Sequence, residues 1–378
     1  MKLFKNANLF EDDHFSKKDF LVEEGKFKKI DTNILINKDF EVTDLNGKYV
    51  YPGLIDSHTH VGIFQEKTGS FSGNDVNETS SPITSDCNAI DAINPNDPGI
   101  IEARNHGVTT VCALPGSANV IGGEGVVFKT DIKNIYEEKI KTPKKIIKMA
   151  FGWNPVFLWR NKKRKPYTRL AVSAILRENL VNAKNYLLKK DNEYDLSMEN
   201  IALLLKKEAI ARIHVANLED IETITRVMNE FDIDYVLDHA TALHTNTDFA
   251  KSLDVPVVLG PLNVAGKSFQ TYDLTFNSVK ILHENGLNIS IMTDAPVIPL
   301  KLIRLQMFFV DRLKIKRSEI LKMFTLNPSK VLGLSNRIGS IEESKDADFI
   351  IMDGDIFNYK SKVLKTYING KYAGGEIS

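Results

Sequence analysis

The chain is 378 residues long, 43% hydrophobic and 26% charged, which is the balance of an ordinary globular protein and not of a disordered or fibrous one. Its 49 basic residues match 49 acidic ones, so no overall field draws it to nucleic acid or to an anionic membrane surface. Two cysteines, Cys87 and Cys112, are too few for a disulfide framework and imply a reducing, cytoplasmic setting; the start Met1-Lys-Leu-Phe-Lys-Asn-Ala-Asn lacks the apolar stretch of a signal peptide, and no apolar run approaches the roughly 20 residues of a membrane span.

Residues 1–50 read as short strands and turns, with a hairpin pattern over 20–30 that turns at Gly25. The C-terminal end reads alike: an apolar strand over 348–353, then 363–372 turning at Asn369-Gly370. A lone hairpin is marginal, so the two ends are predicted to pair into one small composite β-sandwich domain, residues 1–50 and 338–378.

Residues 51–337 alternate strand and helix. Strands are predicted over 54–60, 108–114, 125–129, 146–152, 211–215, 235–239, 255–260 and 289–293; several are almost wholly apolar, as parallel strands buried on both faces should be. Leu176, Leu180, Ala183 and Leu187 recur at helical spacing, as do Ile221, Ile224, Met228 and Phe231 after a capping Asn217. Eight strands with helical crossovers predict the α/β class and a (β/α)8 TIM barrel over 51–337, although little room for a helix separates the third strand from the fourth. Residues 63–105 form a long insertion after the first strand, rich in Ser, Asn, Asp and Pro, and loops of that length are commonly functional or mobile. The basic cluster Arg160-Asn-Lys-Lys-Arg-Lys165 reads as a solvated loop, with an acidic ligand as the alternative.

The chemistry is concentrated at strand ends. The first strand finishes Asp56-Ser-His-Thr-His60; residues i and i+2 share a face, so His58 and His60 project together. The fifth ends at His214, the sixth at His239, and Asp294 follows the eighth. In a barrel the C-terminal ends of all strands meet on one face, so four imidazoles and a carboxylate would converge there, a ligand set suited to zinc, with iron, manganese or nickel as alternatives.

The chain resembles the amidohydrolase superfamily of metal-dependent hydrolases nearly end to end. Pro52-Gly-Leu-Ile-Asp-Ser-His-Thr-His60 resembles its first-strand motif; Asn327-Pro-Ser-Lys-Val-Leu-Gly-Leu, Gly339-Ser-Ile-Glu and Lys345-Asp-Ala-Asp-Phe-Ile resemble its tail. Gly107-Val-Thr-Thr-Val, Pro115-Gly-Ser-Ala-Asn-Val-Ile-Gly-Gly, Met149-Ala-Phe-Gly-Trp-Asn-Pro, Thr168-Arg and Thr293-Asp-Ala-Pro-Val-Ile-Pro are similar to a subgroup related to imidazolonepropionase. The resemblance implies metal-ligand roles for His58, His60, His214 and His239, and implies that Asp294 binds metal and shuttles the proton. It also implies one or two ions. In binuclear members a carboxylate or a carbamylated lysine on the third or fourth strand bridges the pair. Lys148, in an apolar strand where a bare ammonium is costly to bury, is the favoured candidate here, with Glu124 as the alternative.

Departures stand beside the resemblance. The subgroup leads one to expect a histidine and an arginine after His214, where Val215-Ala216-Asn217 stands, a glycine after His239, where Ala240 stands, and a histidine after Asp294, where Ala295 stands. Superfamily deaminases carry a glutamate at the position of Asn217, so amide hydrolysis is the expectation and deamination the alternative, along with a non-catalytic binding protein on the same fold. Arg169 and Arg177 are either grips for a substrate carboxylate or helix-surface charges. His14, His106, His244 and His283 are read as structural. The expected partners are a small-molecule substrate and further copies of the chain, with neither nucleic acid nor membrane.

Overall fold

The computed structural model describes residues 1–65, 74–189, 193–264 and 268–375. Part of the predicted insertion (66–73) and the last three residues of the predicted composite domain lie outside them.

The chain opens with β1 (Lys2–Glu11), β2 (His14–Glu23), β3 (Lys26–Asp31), β4 (Glu41–Asp44) and β5 (Tyr49–Pro52), and closes with three strands that return to them. Between lie β6 (Leu54–Thr59), β7 (Val108–Ala113), β8 (Ile121–Glu124), β9 (Val126–Lys129), β10 (Lys145–Ala150), β11 (Ala209–Val215), β12 (Tyr235–His239), β13 (Val257–Leu259) and β14 (Ile289–Ile291). The closing strands are β15 (Phe349–Met352), β16 (Val363–Ile368) and β17 (Lys371–Gly374). The helices are α1 (Pro98–Asn105), α2 (Ile135–Glu138), α3 (Trp153–Asn161), α4 (Arg169–Leu188), α5 (Leu196–Leu205) and α6 (Leu218–Glu230). They continue with α7 (Thr247–Ser252), α8 (Asn277–Glu284), α9 (Ile303–Asp311), α10 (Arg317–Met323) and α11 (Leu326–Val331).

The two chain ends form one sheet in the order β17-β16-β15-β5-β1-β2-β3, with β4 also paired to β1. Its hairpins turn where positive φ is needed: Glu24 (49°) and Gly25 (80°) between β2 and β3, Asn369 (49°) and Gly370 (68°) between β16 and β17. Phe20 of β2 and Phe349 of β15 lie with ring centroids 5.0 Å apart. In a flat sheet those strands, three places apart, would be roughly 14 Å away. The sheet is therefore bent back over an aromatic core of Phe4, Phe20, Phe27, Phe349 and Tyr367, and the two faces expected of a sandwich belong to one continuous sheet.

In the centre, β10, β11, β12, β13 and β14 run parallel, each flanked by helices, and β6 pairs parallel with β7. β6, β7, β9, β12, β13 and β14 are buried throughout, as expected of strands covered on both faces. The third predicted strand differs in direction. The segment 121–129 kinks at Gly125 into β8, antiparallel to β10, and β9, antiparallel to β7. A side chain at Gly125 would strike Leu114 at 2.4 Å, and the chain there has no room for a crossover helix. The ladders draw a six-stranded sheet, β14-β13-β12-β11-β10-β8, and a three-stranded sheet, β6-β7-β9. No ladder joins β6 to β14, so a closed eight-stranded ring is not what the hydrogen bonds describe. What crosses that edge is sparse: His60 N donates to Ala295 O at 2.8 Å, and Thr293 binds Asp56.

The helical periodicities place α4 and α6 correctly, with Leu176, Leu180, Ala183, Ile221, Ile224 and Met228 buried; Leu187 lies exposed. Asn217 occupies the N-cap of α6 but makes no side-chain capping bond. No helix among the described residues is long and apolar enough to cross a membrane.

Candidate metal centre

His58 and His60 stand on one face at the end of β6, and Asp294 turns in beside them just past β14. His58 Nε2 lies 3.4 Å, and His60 Nε2 3.2 Å, from Asp294 Oδ1. The three form a group whose donor atoms all fall within 4.8 Å of one another, compact enough to hold a metal ion. His239 reaches the group from the end of β12, its ring centroid 5.2 Å from that of His58, and His214 from β11 lies 4.2 Å from His239. Lys148 Nζ is 3.1 Å from His58 Nε2. The six sequence-predicted residues are thus neighbours. Glu124 is elsewhere: its carboxylate pairs with Lys145, at the start of β10, at 2.9 Å, and accepts from Asn88.

The backbone is bent to bring them together. His239 (φ 67°), Ala240 (46°) and Asp294 (53°) all adopt the left-handed region, which costs a non-glycine residue about 1–2 kcal/mol. The glycine expected after His239 would take that conformation freely, yet Ala240 holds it, with its N–H donating to Val215 O at 2.9 Å. Such strain persists where surrounding structure over-determines it, commonly at functional sites.

Hydrogen bonds set the tautomers. His60 Nδ1 lies 2.7 Å from Leu114 O and His239 Nδ1 2.8 Å from Gly260 O. Each ring therefore donates from Nδ1 to a carbonyl and turns Nε2 toward the site. His58 Nδ1 faces Asp238 Oδ2 at 3.2 Å, and its Nε2 faces Lys148. Asp294 Oδ1 finds no hydrogen-bond partner. The donor atoms of His58, His60 and Asp294 thus converge within 4.8 Å of one another, with the Lys148 ammonium beside them at His58 Nε2. That fits a metal, and carbonyl or carboxylate partners behind ligating histidines are what hold such rings in aim. His214 departs from the pattern: its Nε2 accepts from Asn154 Nδ2 at 3.0 Å.

Burial pushes His58 down to about 3, helped by the charge of Lys148, and lowers His214 and His239 as well. These imidazoles are neutral, the form that binds metal. Burial disfavours the charge of Asp294, but His60 and the ring of His239 hold its carboxyl below the usual range. Desolvation brings Lys148 down to about 8 against the pull of Asp238 and Asp294. Asp56 is pushed up to about 7 by burial, although Thr293 and His58 N–H donate to it.

Two residues that sequence reasoning passed over belong here. Asp56 shares the face of His58 by the i, i+2 rule and lay inside the first-strand motif; its Oδ1 accepts from His58 N and its Oδ2 from Thr293. Asp238 precedes His239 and forms a fully buried pair with Arg212, whose Nη2 lies 2.6 Å away and whose Nη1 donates to Ser57 O at 2.8 Å. Arg169 and Arg177 lie outside the cluster. Arg169 pairs with Glu219 and Asp220 at 3.0 Å and Arg177 with Glu230 at 2.7 Å, so the carboxylates they grip are those of α6. In the basic cluster, Lys162 and Arg164 bind Thr79 and Ser80 of the insertion.

Residues 49–373 match the amidohydrolase family. An amidohydrolase of Hapsidospora irregularis, tasK, is 26% identical over 93% of this chain, which spans only 39% of that protein's length. An imidazolonepropionase of Thermoplasma volcanium is 23% identical over 88% of this chain and 83% of its own. The crystal structure of an amidohydrolase from Thermotoga maritima MSB8 superposes over 100% of both chains with a TM-score of 0.95 at 37% identity.

Proposed function

The chain belongs to the amidohydrolase family, and from that membership we propose that it is a metal-dependent hydrolase cleaving a C–N bond in an amide, a cyclic amide or a small peptide. One observation carries the reading: His58, His60 and Asp294 bring three potential ligand atoms within 4.8 Å of one another at the ends of two strands. His214, His239 and Lys148 border the triplet and complete the proposed ligand set. Zinc is favoured, since neutral imidazoles with a carboxylate suit a borderline ion; iron, manganese and nickel share that preference. When bound, such an ion supplies a nucleophile from water near neutral pH and polarises the scissile carbonyl.

Asp294, ionised, takes the proton as water attacks and returns it to the leaving nitrogen. His239, aimed by Gly260, would present its Nε2 lone pair to the ion, whose charge would meet the carbonyl oxygen as that oxygen gains charge. Lys148 is the proposed bridge between two ions. With a pKa near 8, part of it is neutral amine at neutral pH. That amine attacks carbon dioxide and loses a proton, so the residue passes from cation to carbamate anion. The swing suits a pocket whose charges balance without a metal, Arg212 against Asp238 and Lys148 against Asp294.

The sheets are read as one barrel closed without a ladder at the β6–β14 edge, on the support of the Asp56–Thr293 and His60–Ala295 bonds. Residues 1–50 and 338–378 are read as the domain beside it. Two free thiols accord with a cytoplasmic location. The name of the Thermoplasma relative makes ring amides one class to try, and Asn217 in place of a glutamate weighs against deamination.

The test strips the protein with a chelator, reloads it with zinc or manganese, and assays N-acyl amino acids, dipeptides and lactams. Turnover lost on stripping and regained on reloading is expected. A chain that takes up neither ion and hydrolyses nothing would be a binding protein instead.

A further inference from the structure

α3 starts three residues after β10, so its first turn stands beside the histidine cluster. Trp153 and Phe157 share a face of α3 at i, i+4 spacing, with ring centroids 6.4 Å apart. Phe269, from the segment after β13, approaches Trp153 at 5.5 Å. All three rings remain open to solvent, at 39%, 57% and 55%, so core packing does not account for them.

The residue after each of two of these rings links them to the cluster. Gln270 Nε2 donates to Asn154 Oδ1 at 2.7 Å, and Asn154 Nδ2 reaches His214 Nε2 at 3.0 Å and Ser117 Oγ at 2.7 Å. The aromatic patch is thus anchored, through two amides, to a candidate metal ligand. Phe269 also lines a cavity of about 610 Å³ with Tyr272 and with Asn217 and Ala242, which lie just past β11 and β12. That is the size of a small-molecule site. Glu219 and Asp273 also line it, which disfavours an anionic occupant.

We propose that the Trp153–Phe269 face and the adjoining cavity form the specificity subsite of this centre, taking an uncharged aromatic group that flanks the scissile amide. The inference rests on the hydrolase reading for the bond cleaved, but the subsite itself is defined by binding. Flat rings stack offset or edge-on against exposed indole and phenyl faces, and a small aliphatic group cannot.

The test measures binding of N-acetyl-L-phenylalaninamide to the full metal-loaded chain by calorimetry, with N-acetyl-L-alaninamide and N-acetyl-L-phenylalanine as comparisons. The phenylalaninamide is expected to bind at least several-fold tighter than either. Trp153→Ala and Phe269→Ala should each weaken it by up to roughly tenfold, the upper range for an aromatic contact. Tyr359→Ala, an exposed aromatic outside the patch, should leave it unchanged. Equal affinity for the phenylalanine and alanine amides, binding of neither, or indifference to both variants overturns the subsite. Hydrolysis of small amides without aromatic preference would also overturn it while leaving the hydrolase reading intact. Aromatic binding at Trp153 with no hydrolysis of any amide would support the subsite and sink the hydrolase reading.

Discussion

Asp56 holds Thr293 twice: its Oδ2 accepts from the backbone N–H at 2.8 Å and from Oγ1 at 2.6 Å. One residue lies on the strand that carries His58 and His60, the other immediately before Asp294. The pair joins two strands that share no ladder and ties together the two sides of the candidate metal triplet.

Thr293→Val removes the hydroxyl bond and keeps the backbone one. The buried carboxylate loses a donor, which should cost about 1–3 kcal/mol in urea unfolding. Ion affinity should fall roughly 10- to 100-fold, as for other groups that aim ligands. A variant with wild-type stability and ion affinity would show that the bond is incidental.

Arg212→Met leaves Asp238 buried without its partner. Burial opposes ionisation of Asp238, and Arg212 overrides it. The variant should lose about 3–5 kcal/mol, and adding Asp238→Leu should recover most of it, because an uncompensated charge is worse than an apolar pair. Failure of the double variant to recover would mean that Asp238 is needed for itself, through its contact with His58.

Asp294→Asn keeps the shape and removes the base. Turnover should fall about 100- to 10,000-fold, while plasma emission spectrometry finds the ion largely retained through the histidines. Activity near wild type would refute the proton-shuttle role.

Lys148 sets a pH dependence in the metal-free protein. Its folded pKa, near 8, lies below its ordinary 10.5. Between those values the unfolded chain binds more protons, so this residue makes stability rise with pH over that window and adds no slope below it. In Lys148→Met the rise should shrink. Carbon-13 bicarbonate should give a carbamate resonance in the wild type that is missing from the variant. A slope identical in both proteins would mean that Lys148 is not buried as a titrating amine.

Cys112 is fully buried, with its thiol pushed up to about 12, whereas Cys87 is only partly covered. A disulfide reagent should titrate one thiol in the native protein and two in guanidinium. Two fast-reacting native thiols would contradict the packing around β7.

Much of this was written in the chain. The i, i+2 rule placed His58 and His60 on one face, and the apolar runs gave each main strand. The direction of the 121–129 segment was not legible, because an apolar run looks the same whichever way its neighbour runs; the return from β7 over 114–120, with no crossover helix, sets it antiparallel. Arg169 and Arg177 stayed open between a substrate grip and helix-surface charges because a helical charge does not announce its partner, here on α6. Asp56 was legible and passed over, its face being that of His58. Asp238 was less so: strand alternation sends it away from His239, and only the left-handed turn at His239 lets both serve one pocket.

The three-stranded and six-stranded sheets are continuous along one margin, through the kinked segment at Gly125, and open along the other. The triplet straddles the open margin, two ligands from one sheet and one from the other. An ion held there would act as a rivet. Its preferred radius would be decided by how far the two sheets lean apart, a property of the whole scaffold. Substitutions distant from every ligand could then retune the metal by altering that lean, with no change to the residues that touch it.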